Sequence, residues 1–174
     1  MGITERVERM LVRVQSPSGS VSAELHGNDD VRVWFAPGFY QRADRHEMQT
    51  QLEQAARLLW AARVTEYQRI LSDEYEQPMA ERSPVGRLDT EFSQRREALV
   101  AQGESDDGHI AITVRGMRDW RVELTADALR ALREDEFTAG VVFAARKLIA
   151  DQLAKILQLR VSTYDPGLTL RFAA

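Results

Sequence analysis

Histidine, paired carboxylates, serine and arginine are the side chains through which this chain could do chemistry, and their spacing decides what they can do. The three histidines are His26, His46 and His109. A metal site needs several such ligands to converge. The one local cluster, Asp106-Asp107-Gly108-His109, reads as a polar turn. The serines fall in turn sequences such as Ser16-Pro17-Ser18-Gly19. No Gly-x-Ser-x-Gly elbow and no Ser/His/Asp order accompanies them. Gly103 and Gly108 are too sparse to cradle a phosphate, and no Walker or dinucleotide loop is present. Asp29/Asp30 and Glu134-Asp135-Glu136 read as turn and helix-start charges, the latter favoured by the helix dipole. These patterns describe a protein without a catalytic site, a metal or a cofactor.

The arginines carry a second possibility. Arg32 and Arg121, and likewise Arg57 and Arg146, occupy equivalent positions of an internal repeat. If its two copies pack symmetrically, each pair flanks one groove and can meet phosphates. The competing reading pairs them with nearby carboxylates such as Glu53 and Asp151. Trp34 falls on the strand face opposite Val33 and Phe35, so it is either an exposed contact aromatic or packs under the other copy. Trp34 and Phe39 are the candidate contacts for a protein partner. Trp120, aligned with Val31, belongs to the core.

The repeat is read directly. Shifting the sequence by 89 positions lays SGSVSAELHGNDDVRVWF, from Ser18, over DGHIAITVRGMRDWRVEL, from Asp107. In the same register AARLLWA, from Ala55, lies over AARKLIA, from Ala144. Eleven of the 54 pairs between Ser18/Asp107 and Leu71/Arg160 are identical; ordinary residue frequencies would give roughly three or four. Two copies are too few for a solenoid, so the expectation is a duplicated domain whose halves share one core. A unit of about 55 residues buries too little surface to be comfortable alone.

Within the first copy, Met10–Val14 and then Val21, Ala23 and Leu25 alternate as half-buried strands. A Gly27-Asn28-Asp29-Asp30 hairpin leads to Val31, Val33 and Phe35 on a third. After Pro37-Gly38, Asp44 and Glu47 cap a helix whose stripe begins Met48, Leu52, Ala55, Leu59 and reaches about Leu71. The second copy repeats this with Ile110/Ile112/Val114, a hairpin at Gly116, Trp120/Val122/Leu124, and a helix from about Glu134 to Leu157. Its first strand is open: LVAQG aligns with MLVRV but can equally finish a connector helix carrying Leu88, Phe92 and Leu99. That connector follows breaks at Pro78 and Pro84. After Leu157, LRVSTY and LTLRF around Asp165-Pro166-Gly167 read as a terminal hairpin. The expected core is Val21, Leu25, Val33, Phe35 and Leu59 with Ile110, Val114, Val122, Leu124 and Leu148.

Composition narrows the class. The chain has 174 residues, 44% hydrophobic and 29% charged, and no cysteine, a soluble globular composition. No apolar run approaches the roughly 18–20 residues that span a bilayer. The charged start MGITERVERML is not a secretory signal, so the cytoplasm is the expected compartment. The net charge is −4, and the acidity belongs to the connector, not to the repeats. Neither repeat shows the net basic excess by which nucleic-acid modules usually advertise themselves.

The patterns S/D-G-x-V/I-x-A/I-x-L/V-x-G, a following apolar strand, and a helix with paired alanines resemble the YbaB/EbfC family of small nucleoid-associated proteins. The matching residues are SGSVSAELHG with AARLLWA, and DGHIAITVRG with AARKLIA. VQSPSGSVSAEL with its long following helix is also similar to actinobacterial relatives associated with type VII (ESX) secretion. The resemblance implies an α+β fold of two YbaB-like repeats, each an antiparallel meander and a long helix, packed as an intrachain pseudo-dimer. The expected organisation is 1–75 as the first YbaB-like repeat, 76–106 as an acidic linker and connector helix, and 107–174 as the second repeat with a C-terminal extended segment; the resemblance itself covers 10–71 and about 88–160. It implies a non-catalytic DNA-binding protein; on that reading the repeat-equivalent Arg32, Arg57, Arg121 and Arg146 are the candidate phosphate contacts. The alternative is a protein-interaction or chaperone-like module for type VII secretion, and either can form homo-oligomers of the pseudo-dimer. The long helix that precedes the family's sheet is reduced to ITERVERM before the first copy.

Overall fold

The computed structural model describes residues 2–75 and 84–167. In chain order the elements are α1 (Ile3–Glu8), β1 (Leu11–Gln15), β2 (Val21–His26), β3 (Asp30–Phe35), α2 (Phe39–Arg42), α3 (Arg45–Tyr75), α4 (Arg87–Ala98), β4 (Val100–Glu104), β5 (Ile110–Arg115), β6 (Asp119–Leu124), α5 (Ala128–Ala131) and α6 (Glu134–Tyr164). The protein is α+β, with two three-stranded antiparallel meanders ordered β1-β2-β3 and β4-β5-β6, each followed by a long helix. From β1/β4 to α3/α6, both ends of every element are offset by the same 89 residues as the sequence repeat. The strand registers agree as well: Val12 faces Leu25 and Ala101 faces Val114.

Local chemistry sets the turns. Ser16 and Ser105 accept hydrogen bonds through their hydroxyls from the Val21 and Ile110 N–H groups, at 3.1 and 3.0 Å. Gly27 and Gly116 occupy the hairpin turns with φ of +62° and +57°. A Cβ at either would lie 3.0 and 2.5 Å from the carbonyl oxygens of Glu8 and Glu97, where the preceding helix ends. Only glycine meets both the left-handed backbone and that close approach. The Asp44 carboxylate accepts the Glu47 N–H at 2.8 Å and starts α3 as its spacing predicts. At 31 residues, α3 is about 45 Å long.

The core is shared. Val21, Phe35, Phe39 and Met48 of the first half form one cluster with Ile110, Val122, Phe137 and Leu148 of the second. Helix α3 lies on β1 and β2 and also against β6; helix α6 lies on β4 and β5 and also against β3. A second cluster, Met10, Val12, Leu25, Val31 and Ile70, closes the end of α3 over the first sheet.

The open alternative for LVAQG resolves to a strand: residues 100–103 lie in β4, and α4 ends one residue before Leu99. Other expectations need correction. LRVSTY is not extended: α6 continues to Tyr164, held by α4 through the Phe92–Tyr164 ring contact and a 2.6 Å hydrogen bond from the Tyr164 hydroxyl to Asp89. The LTLRF strand of the expected terminal hairpin and the break at Pro78 lie outside the described residues. Val33 and Leu59 are half-buried, whereas the rest of the expected core is buried. Leu148→Ala is therefore expected to cost roughly 2–5 kcal/mol in urea denaturation. Leu59→Ala should cost only about 1–2 kcal/mol, because less apolar area leaves water there. Equal losses at the two sites would contradict this difference in burial.

Candidate nucleic-acid interface

The two long helices run beside the last strand of the opposite sheet, and this sets where their arginines stand. The Gln49 and Glu53 side chains of α3 accept the Leu124 and Val122 N–H groups at 3.0 and 2.9 Å. Four residues of helix and two of strand both advance about 6–7 Å. One further turn of α3 brings Arg57 level with Trp120, beside the β5–β6 hairpin. The same construction shifted by 89 residues brings Arg146 level with Val31, and its guanidinium lies 3.7 Å from the Asp29 carboxylate of the β2–β3 hairpin.

The two edges therefore differ in charge. Where Asp29 meets Arg146, the position offset by 89 beside Arg57 is Arg118, another cation. The first hairpin, His26–Arg32, carries two aspartates and one arginine; the second, Arg115–Arg121, carries three arginines and one aspartate. Arg32 is 3.5 Å from Asp30. Arg57, Arg115, Arg118 and Arg121 are exposed and have no ion pair among the described residues. Of the four arginines singled out from the repeat, two are thus neutralised by first-hairpin aspartates and two are free. Arg115 and Arg118 stand opposite His26 and Asp29 in the repeat, so identity between the copies does not point to them. The signal was present in the substitutions of Arg for His26 and Asp29 across the repeat.

The carboxylates expected to neutralise the helix arginines have other tasks. Glu53 caps the open edge of β6. Asp151 accepts the Gln102 N–H and the Lys155 ammonium, at 2.9 and 2.8 Å. Partial burial pushes the Asp151 carboxyl up, but those two hydrogen bonds outweigh it and hold the group below the usual carboxylate range.

The aromatic candidates separate. Trp34 is 40% exposed on the outer face of β3. The Arg13 guanidinium stacks 5.5 Å from its ring centroid and bonds the buried Glu24 at 2.9 Å. Phe39 is fully buried, 6.0 Å from the Phe35 ring, so it is not available to a partner. Phe39 lies in α2 just after the Pro37-Gly38 turn and packs into the shared core, and Ala128, aligned with it, is buried in the same way. Trp120 is half-buried.

The Asp106–His109 cluster forms the β4–β5 turn. The Asp107 carboxylate accepts the Ser105 hydroxyl at 2.7 Å and the His109 N–H at 3.0 Å, which hold it below the usual carboxylate range. His109 lies 2.6 Å from the Thr125 hydroxyl. Among the described residues no group of three or more His, Cys, Asp or Glu side chains is placed to hold a metal, and no helix is long and apolar enough to cross a membrane. Comparison with protein-family models, curated proteins and solved structures finds no match for this sequence.

Proposed function

We propose that this chain is a non-catalytic binding protein of YbaB/EbfC type, a duplicated domain packed as an intrachain pseudo-dimer, whose ligand is double-stranded DNA. The observation that carries the reading is the set of unpaired, exposed arginines on the second half, Arg115, Arg118 and Arg121, with Arg57 of α3 beside their hairpin. Guanidinium groups free of internal carboxylates can neutralise phosphates and release counterions. The common offset of strands and helices supports the pseudo-dimer. DNA contact on this reading is one-sided, because Asp29 and Asp30 oppose it at the first hairpin.

Titration of fluorescent duplexes at rising salt tests the proposal. Affinity should fall steeply with salt for every duplex sequence. Arg57→Glu/Arg118→Glu should weaken binding at least ~10-fold and reduce the salt slope by about two, since each phosphate contact contributes roughly one. Arg146→Glu should matter less, its charge being already opposed. No duplex binding at tens of micromolar protein in low salt, roughly the range of non-specific affinities, would overturn the DNA reading.

A second reading, a protein-interaction module associated with type VII secretion, is favoured by Leu153 and Leu157. They stand one turn apart on α6 and are 60% and 54% exposed. It predicts partner capture that is lost in Leu153→Asp/Leu157→Asp and kept in the arginine double variant.

A further inference from the structure

The two sheets differ in how their outer edges are closed. A strand edge is a row of unpaired N–H and C=O groups to which another strand can add, and proteins cover or guard it. In the second half, helix side chains do so. Gln49 and Glu53 of α3 accept the Leu124 and Val122 N–H groups of β6. Asp151 of α6 accepts the Gln102 N–H of β4, and Lys155 donates to the Val100 carbonyl. At the positions offset by 89 from these four stand Thr138, Val142, Ala62 and Glu66. None of them closes the first sheet. The Thr138 hydroxyl donates to the Glu134 carbonyl within α6, and the Glu66 carboxylate is held by Arg69. Valine and alanine have no polar side-chain group to offer.

Helix α6 lies against β3, which leaves β1 as the open edge. Val14 stands where Gly103 lets α6 close on β4. Accordingly α6 sits mainly on β4, whereas α3 is shared between β1 and β2 and leaves the outer side of β1 uncovered. The Gly27 N–H bonds the Met10 carbonyl and the Ser16 N–H bonds the Val21 carbonyl, which fixes the alternation. Met10, Val12 and Val14 bond toward β2, and Leu11, Arg13 and Gln15 turn their N–H and C=O groups outward. Those outward groups have no partner among the described residues. The usual guards are missing too: β1 has no proline, lysine or bulge, and Leu11 is 55% exposed.

An open edge takes an extended backbone, and β1 is complementary to itself. Place a two-fold axis at Val12, so that two copies of β1 run antiparallel. Leu11 of each copy then stands opposite Arg13 of the other, and the two exchange both backbone hydrogen bonds. On the inner face Val12 meets Val12 and Met10 meets Val14, so the apolar side continues across the seam. On the outer face Leu11 covers the stem of the opposite Arg13, whose guanidinium is already taken by its own Glu24. An axis at Arg13 would oppose two arginines directly, which is unfavourable. An axis at Val14 would bring Pro17, which has no N–H, into the ladder opposite Leu11. We infer that β1 is the interface through which two copies of this chain associate, Leu11 against Arg13, joining their first sheets into one. The contact is independent of the second-half arginines and of whether the protein binds DNA.

Amide hydrogen exchange by nuclear magnetic resonance, with sedimentation velocity, tests this on the full chain. A five-residue edge is a small, transient-class interface, so the range to scan is about 10 µM to 1 mM. The Leu11 and Arg13 amides should exchange freely when dilute and slow at least ~10-fold as dimer forms, since they then donate across the seam. The Gln102 amide, held by Asp151, should be protected throughout. Leu11→Lys sets a lysine against the opposite Arg13 and should raise the dimer dissociation constant at least ~10-fold, with Gln102 protection kept. A chain still monomeric at about 1 mM overturns the inference and leaves the edge to a strand of another protein. Protection of both amides in the monomer overturns it as well, because a segment of the same chain would then cover the edge. A dimer in which both amides exchange freely, or one that Leu11→Lys does not weaken, places the contact elsewhere and also overturns it.

Discussion

Gly103→Ala lowers stability by more than about 3 kcal/mol in denaturant unfolding, at the upper end of what overpacking usually costs. An ideal Cβ at Gly103 would stand 2.0 Å from the Ala144 carbonyl oxygen and 2.6 Å from the Leu148 nitrogen. Both are backbone atoms of α6, so no side-chain rotation relieves the overlap and the helix itself must move. Helix α6 is also pinned to β4 by Asp151 on the Gln102 N–H and by Lys155 on the Val100 carbonyl, each at 2.9 Å. Moving the helix therefore breaks hydrogen bonds as well as packing. The position offset by 89 is Val14, so the first half tolerates a branched side chain where the second does not. A loss below about 1 kcal/mol, no more than an ordinary point mutation, would show that α6 slides on β4 without penalty and that the close approach is not a constraint.

Phe137→Ala costs roughly 3–5 kcal/mol, as expected for emptying a large aromatic site in a packed core. Phe137 is fully buried at the start of α6, yet its ring neighbours belong to the first half: Tyr40 at 5.3 Å and Phe35 at 6.0 Å between centroids. The Tyr40 hydroxyl in turn donates to the Leu132 carbonyl at 2.7 Å. Loss of this ring removes support from both sheets, so the destabilised protein should still unfold in one transition seen alike from Trp34 and Trp120. Phe143→Ala on the same helix, 38% exposed, should change stability by less than about 1 kcal/mol. Two separated transitions in Phe137→Ala would show that each half has a core of its own.

Much of this was legible in the residues. Alternation at Val21/Ala23/Leu25 and Ile110/Ile112/Val114, glycines at 27 and 116, and the Asp44 cap each describe a local event. Local events follow from side-chain type and spacing. The offset of 89 carried such signals from one half to the other, and β1 to α3 lie at that offset from β4 to α6. Trp34 was legible as facing away from Val33 and Phe35, because strand side chains alternate.

What the residues did not contain was the distance between elements. LVAQG is poor in strand formers, yet it pairs with β5 because Gly103 lets α6 approach it. The β-branched residues Val161 and Thr163 argue locally for an extended chain. Buried Leu159 and Thr163 and the packing of α4 keep the segment helical, tertiary contacts overriding a weak propensity. Phe39 followed a turn and looked available; the path of α2 buries it. The arginines show the division most plainly. Their equivalence across the repeat is a property of the sequence alone. Whether each meets a carboxylate is decided by which hairpin lies beside which helix, because an ion pair depends on separation in space and not on separation along the chain.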